Sequence, residues 1–308
     1  MLRIATIGFF DGVHRGHQFL FARLREAAQQ RGLEPLVVTF RQHPRQVLQS
    51  DYVPRLLTTF DERMSLLRST LNTQPSTLNP NPSTLNVLAF DFAEIKDLTA
   101  KQFMLRLRDE YDVRALLMGY DHRFGSDRLR HPQDYKSIGE RIGMEVLPVR
   151  EFVDGEWHIS STEIRQALQK GNMVVANELL GYPYSITGVV VEGNRLGRTI
   201  GFPTANIRPD DPNKIIPKSG VYGGTVTFTP STLNTQPSTL THSSIINIGT
   251  NPTVGNTEQT IEVHIPGMEA DLYGQRMTVS FDFFIRDEQK FDSLLALRRQ
   301  ILDDLSRL

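Results

Sequence analysis

GFFDGVHRGH, residues Gly8–His17, decides how the first half of the chain is read. The apolar run Met1–Ile7 before it predicts a buried strand. After it, Gln18–Arg31 carries Phe19, Leu20, Ala22 and Leu24 at helical spacing and predicts an amphipathic helix. A strand, a glycine-bearing turn and a helix start, in that order, aim backbone N–H groups at one spot where an anion can sit. Gly16, between His14 and His17, lets a ligand come close to the backbone. Two imidazoles beside a helix N-terminus can donate hydrogen bonds to a phosphate without both being ionised. That suits charge building on phosphate in a transition state. Histidines three apart are common on any surface; the strand, turn and helix around these two favour the chemical reading.

Outward from this stretch, residues 1 to about 150 alternate strand-like and helical patterns. Strands are expected at Arg3–Ile7, Leu36–Phe40, Val87–Phe90, Ala115–Met118 and Glu145–Val149, and helices at Gln18–Gln30, Phe60–Arg68, Thr99–Tyr111 and Pro132–Arg141. Such alternation implies a parallel sheet covered on both faces, with right-handed crossovers. The loops after the strands then share one edge, which should gather His14, His17, His43 of TFRQHP and Asp121 of GYDHRFG.

A helical stretch, Ser161–Leu180, leads into a β-rich half from Tyr184 onward: SITGVVVEG, GVYGGTVTF, SIINIG, TIEVHI and MTVSFDFFI. Short strands divided by Gly, Pro and Asn suggest an antiparallel barrel or sandwich. Phe291–Leu308 closes the chain as a helix with Leu294, Leu297, Ile301 and Leu305 on one face and Arg298, Arg299 and Asp303 exposed.

At 308 residues, two domains are expected. With 34 basic and 35 acidic side chains the net charge is −1, which gives no reason to expect nucleic acid or membrane as partner. The absence of cysteine removes disulfides, thiolate metal sites and cysteine nucleophiles. No signal core or membrane-length apolar run is present, so a cytoplasmic protein is expected. Self-association is left open.

The motifs now carry a resemblance. GFFDGVHRGH resembles the signature of HxGH nucleotidyltransferases, and in this form the adenylyltransferase module of bacterial bifunctional riboflavin kinase/FMN adenylyltransferases, also called FAD synthetases. The resemblance implies a Rossmann-like α/β domain over residues 1–181, with its helical linker at 161–180. An antiparallel β-barrel riboflavin kinase domain with a C-terminal helix would follow over 182–308. It further implies ATP contacts from Gly8, Phe9, Phe10, Asp11 and Gly16, and nucleotide contacts from Asp121 and Arg123. HISSTEIRQAL resembles the family's ISSTxIR motif, in which Ser161, Thr162 and Arg165 would hold ATP phosphates; a helix capping box accounts for the hydroxyls alone. His122 stands where relatives usually have an aromatic residue, and Gln42 where proline is frequent.

GRTIGFPTANI resembles the GxPTAN motif of riboflavin kinases, followed in family order by GVY, NIGTNPTVG and RDEQKFDSL. There Thr204 and Asn206 offer hard oxygen ligands for Mg²⁺. Gly193, Gly197 and Gly201 would face phosphates, and Tyr222, Asn247 and Arg286 would contact flavin. Glu288 matches the catalytic base, which would take the riboflavin 5′-hydroxyl proton. No P-loop lysine motif is present. The implied chemistry is phosphorylation of riboflavin to FMN and adenylylation of FMN to FAD, each with ATP and Mg²⁺. The alternatives are an HxGH adenylyltransferase for another substrate and a non-catalytic flavin-binding regulatory protein.

STLNTQPSTL occurs twice, at Ser69–Leu78 and Ser231–Leu240. Identity between two unlike halves does not arise from a structural repeat, so the string reads as one element inserted into two surface loops rather than as recognition peptides.

Overall fold

Period-two alternation builds the first half. In β1 (Arg3–Ile7) and β2 (Glu34–Phe40), Ala5, Ile7, Leu36, Val38 and Phe40 enter one apolar core, while Ile4 and Val37 enter another on the opposite side. The computed structural model describes residues 1–72, 86–120, 122–129, 131–154, 157–193, 196–229, 239–253, 256–268 and 270–308. The chain forms two compact units, Met1–Ser160 and Ser161–Leu308.

In the first unit, β1 and β2 join β3 (Asn86–Phe90), β4 (Val113–Met118) and β5 (Glu145–Pro148) in a parallel sheet of order β3-β2-β1-β4-β5. On one face, α1 (Arg15–Arg31) and α3 (Phe60–Asn72) bury Leu20, Phe21, Leu24, Met64 and Leu67. On the other, α4 (Ala100–Tyr111) and α5 (Pro132–Ile142) bury Phe103, Met104, Leu107 and Tyr135. The chain goes from β1 to β2 on one side and returns to β4 on the other. The loops after β1 and β4 therefore flank the point where the winding reverses, the usual ligand crevice of such sheets.

The five expected strands and four expected helices are all found, with ends shifted by a few residues. Thr99 is the N-cap of α4 rather than its first residue, and its side chain accepts from Gln102 N–H. A five-residue helix, α2 (Pro44–Leu48), was not expected; His43 caps it, Nδ1 accepting from Arg45 N–H at 3.2 Å. A minimal hairpin, β6 (Val153–Asp154) with β7 (Trp157–His158), ends the unit.

In the second unit the stretch 161–180 forms two helices, α6 (Ser161–Lys170) and α7 (Met173–Leu180). The break is at Gly171, with φ +75°, followed by Asn172 as the next N-cap. These helices pack with the barrel. Asn177 Nδ2 donates to the Phe281 carbonyl at 2.8 Å, Asn177 Oδ1 accepts from Tyr184 N–H at 2.7 Å, and Lys218 N–H donates to the Leu168 carbonyl. Six antiparallel strands, β8 (Tyr184–Val191), β9 (Ala205–Pro209), β10 (Gly220–Phe228), β11 (Leu240–Thr253), β12 (Asn256–His264) and β13 (Arg276–Arg286), close a barrel of order β10-β11-β12-β9-β8-β13. A one-turn helix, α8 (Leu196–Thr199), lies between β8 and β9. This is the barrel alternative of the two left open above.

The repeated string meets both architectures. Ser69–Asn72 continues α3 beyond Arg68, where it was expected to end, since each added residue gains a helical hydrogen bond once the helix exists. At the other copy, Thr239 and Leu240 lead into β11, with Leu240 opposite Phe228. Of the expected loops, Asn72–Asn86 and Ser231–Thr241, residues 73–85 and 231–238 lie outside the described residues, while Asn72 belongs to α3, Asn86 to β3, and Leu240 and Thr241 to β11.

The last helix, α9 (Leu294–Leu305), departs from its apolar pattern. Leu297, Ile301 and Leu305 are only half-buried and Leu294 is exposed; Arg298, Arg299 and Asp303 are exposed as expected. Its one buried residue is Asp304, which takes Arg286 Nε at 3.0 Å and Nη2 at 2.7 Å. Removing one member of a buried pair strands the other charge. Asp304→Ala should therefore cost the second unit about 3–5 kcal/mol in guanidinium unfolding.

Candidate active sites

The first site is built on a strained loop. After β1, Phe10 (φ 56°) and Val13 (φ 39°) lie in the left-handed region, unusual for any residue with a β-carbon and most of all for a β-branched one. What holds them there is Asp11. Its buried carboxylate accepts from the backbone N–H groups of Leu57 and Thr58 at 3.0 Å and from Thr58 Oγ1 at 3.1 Å. Gly12 N–H donates to the same Thr58 hydroxyl at 3.0 Å. Asp11, expected at the nucleotide, is thus turned inward as the clamp of the loop.

The clamp delivers two histidines. His14 is the N-cap of α1, with no side-chain cap hydrogen bond, and His17 lies in the first turn. Their rings stack with centroids 3.6 Å apart, and Phe10 meets His17 edge-on at 5.2 Å. Gly16 keeps the space between them open: a β-carbon there would lie 3.2 Å from the His14 ring, tighter than an ordinary contact. Burial, then His14 and His122, hold His17 well below the ordinary imidazole pKa, so its ring is neutral. His17 Nδ1 is buried without a hydrogen-bond partner among the described residues. The pair, set at the N-terminus of a helix with its dipole, forms a donor cradle suited to phosphate.

His122, after β4, adds a third imidazole; its Nδ1 accepts from Gly119 N–H at 3.2 Å and its ring faces Phe10. Gly8 continues the sheet by donating to the Val38 carbonyl, and Phe9 packs edge-on against His43 at 4.8 Å. The expected edge thus brings together His14, His17, Phe9, Phe10 and His43. Arg123 is exposed on the β4 side, and Asp121 lies outside the described residues. Ser161, Thr162 and Arg165 occupy the first five residues of α6, in the second unit.

The second site lies on the outside of the barrel. Ile207, Ile261, Val263, Ile246 and Ile248 face inward, so the residues between them face out. Asn206 pairs directly with Glu262, and Glu262 with Asn247, giving one polar row across β9, β12 and β11. Thr204 Oγ1 donates to Glu262 Oε2 at 3.3 Å. The Asn206 amide packs over Gly193: a β-carbon there would overlap it. Gly197 lies in α8 and Gly201, with φ +85°, in the turn after it, and a β-carbon on Gly197 would strike the Phe202 carbonyl. A β-carbon on Gly249 would lie 3.0 Å from Glu288 Oε1, 3.4 Å from Thr260 Oγ1 and 3.5 Å from Asn247 Nδ2. Glu288 therefore reaches the far end of the row.

Two expected flavin contacts are engaged within the protein. Tyr222 is fully buried between Phe281 and Phe284, its hydroxyl donating to the Lys218 carbonyl. Burial and the Asp287 carboxylate push its pKa up. Arg286 serves the pair with Asp304. Sequence alone gives no reason to single out Glu262: a polar residue within TIEVHI signals only an outward face, and its neighbours depend on strand register.

Thr204 and Asn206 are hard oxygen donors gathered beside the Glu262 carboxylate, a pair that fits a magnesium ion shared with phosphates. Among the described residues no group of three or more His, Cys, Asp or Glu side chains could hold a metal by itself. No helix among them is long and apolar enough to cross a membrane.

Family models match both halves: "FAD synthetase" over residues 2–163 and "Riboflavin kinase" over residues 180–308. The bifunctional riboflavin kinase/FMN adenylyltransferase of Escherichia coli (strain K12) is 36% identical over 302 residues, 98% of this chain and 90% of that one. Its counterpart from Haemophilus influenzae is 34% identical, over 97% of this chain and 91% of that one. The crystal structure of a macrolide-efflux protein from Streptococcus pneumoniae superposes with a TM-score of 0.84 at 31% identity, covering 99% of this chain and 93% of that one. With two matched halves in this order and identity along nearly its whole length, the chain belongs to the family of bifunctional riboflavin kinase/FMN adenylyltransferases.

Proposed function

We propose that this enzyme phosphorylates riboflavin to FMN and adenylylates FMN to FAD, with ATP as co-substrate of both steps. The observation that carries the reading is the presence in one chain of two distinct phosphate chemistries: a stacked His14–His17 cradle at a helix N-terminus and an oxygen-rich row at Thr204, Asn206 and Glu262. An adenylyltransferase for another acceptor would leave the second site unexplained. A non-catalytic binder would not need the strained loop. Residues 1–181 are assigned to adenylyl transfer and 182–308 to the kinase. ATP is a cytoplasmic reagent, which supports that compartment.

In adenylyl transfer an FMN phosphate oxygen attacks the α-phosphorus of ATP, and the bond to the β-phosphate oxygen breaks to release pyrophosphate. His14 and His17 donate to the phosphoryl oxygens as charge builds on them. Because His17 is neutral, it lends a hydrogen bond without the cost of burying a cation. Gly8, Phe9, Phe10, Gly16, Asp121 and Arg123 are assigned to the nucleotide.

In the kinase the riboflavin 5′-oxygen attacks the γ-phosphorus, its proton passes to a carboxylate, and ADP leaves. We assign that carboxylate to Glu262 rather than to Glu288, the expected base. Glu262 is half-buried on a rigid strand beside Thr204 and Asn206, whereas Glu288 reaches in from an exposed segment. Thr204 and Asn206 would hold magnesium, which when bound neutralises phosphate charge.

Purified protein given riboflavin, ATP and magnesium should yield FMN and then FAD on chromatography; neither product appearing would refute the reading. His17→Ala should lower FAD formation about 10²–10³-fold while riboflavin phosphorylation persists. Glu262→Gln should lower phosphorylation roughly 10²–10⁴-fold, as expected for a lost general base. Glu288→Gln should lower it much less, and the reverse ranking would restore Glu288 as the base.

His17 also makes stability depend on pH. Its folded pKa lies below the ordinary 6.5, so between those values the unfolded chain binds the extra proton. Stability therefore falls as the pH drops below 6.5. Denaturant unfolding at pH 7.5 and 5.5 should show a smaller acid loss for His17→Gln than for the wild type.

A further inference from the structure

Arg63, on α3, is 1% exposed, yet none of the motifs includes it. Its Nη2 donates to the Phe40 carbonyl at 2.6 Å and lies 3.5 Å from the Arg41 carbonyl. The guanidinium carbon stands 4.0 Å from the centroid of the Phe9 ring and 5.6 Å from that of Phe60. One cation thus grips the loop leaving β1, through Phe9, and the end of β2, through two carbonyls. The two loops meet again where Phe9 packs edge-on against His43, and Thr39 Oγ1 donates to the Phe9 carbonyl at 3.2 Å.

This arrangement is costly. Burial lowers the Arg63 pKa to about 10, against the opposing field of Asp11. Its Nε is buried without a hydrogen-bond partner among the described residues. An apolar side chain of similar volume would fill the space at lower cost. Only a planar guanidinium can stack on a ring and reach two carbonyls at its edge at once. Such expense beside a strained loop marks a role in chemistry rather than in stability alone.

We propose that Arg63 is a positioning residue for adenylyl transfer: it fixes the Gly8–His17 loop against the His43 loop through Phe9 and the Phe40 and Arg41 carbonyls. The inference rests on the adenylyltransferase reading of the first unit. Arg63 touches no reacting atom. It sets the separation of the groups that do, and misplacement by about 1 Å can cost on the order of 10² in rate.

The test uses the full chain with Arg63→Met and Arg63→Lys. FMN adenylylation is resolved into kcat and KM, and riboflavin phosphorylation serves as an internal control. Ring-proton NMR signals of His43 report loop geometry without turnover. Arg63→Met should lower kcat for FAD formation about 10²-fold with KM for ATP and FMN little changed. It should shift the His43 signals and leave riboflavin phosphorylation intact. Arg63→Lys, which keeps the charge but not the fork, should fall between Met and wild type. An unchanged kcat, a loss confined to KM, equal loss of both activities, or unmoved His43 signals would overturn the proposal. If Arg63→Met does not fold, Arg63→Lys decides, and wild-type kcat in that variant refutes it. Wild-type protein that makes no FAD would defeat the functional reading instead, while the His43 signals would still judge Arg63.

Discussion

Four donors converge on the pair formed by Asp11 and Thr58, and the first site depends on them. A loop with Phe10 and Val13 in the left-handed region carries strain of about 1–3 kcal/mol at each. Hydrogen bonds to a charged group contribute roughly 1.5–3 kcal/mol each, and the Asp11 carboxylate accepts from two backbone N–H groups and a hydroxyl. The clamp is therefore large enough to hold the strain. Because its donors come from Leu57 and Thr58, just before α3, the geometry of the histidine pair is tied to a helix far away in sequence. Arg63, on that helix, extends the same coupling to β2.

The barrel solves a different problem by different means. It needs no strained backbone, because alternation sends one set of side chains inward and register aligns the other set outside. Asn206, Glu262 and Asn247 are brought into line by strand pairing alone. A slip of one residue in β12 would bury the carboxylate and expose Ile261 or Val263, so the apolar core of the barrel enforces the polar row on its surface.

What was legible in the sequence follows from the range of the forces involved. Alternating and helical apolar patterns act over a few residues, so the five strands of the sheet and their helices could be read, as could the glycine between two histidines. Asp11 was legible as important but not in its role, because its donors lie 46 and 47 residues away. Glu262 and Arg63 were not legible at all: a strand glutamate and a helix arginine look solvent-facing until register and packing are known. Arg286 and Tyr222, expected at the flavin, also hold internal partners the sequence did not reveal, Asp304 and the Lys218 carbonyl. The pattern of α9 misled because its docking relies on that ion pair more than on its leucines.

The string STLNTQPSTL carries a further consequence. Its first four residues at one site end a helix, and its last residue at the other starts a strand. Each described end takes the conformation of the element it joins, helical at Ser69–Asn72 and extended at Leu240. In protein engineering terms, the two junctions are splice ports, one in each unit. A foreign tag or reporter placed there inherits a helical or an extended stem from its host, according to the port chosen.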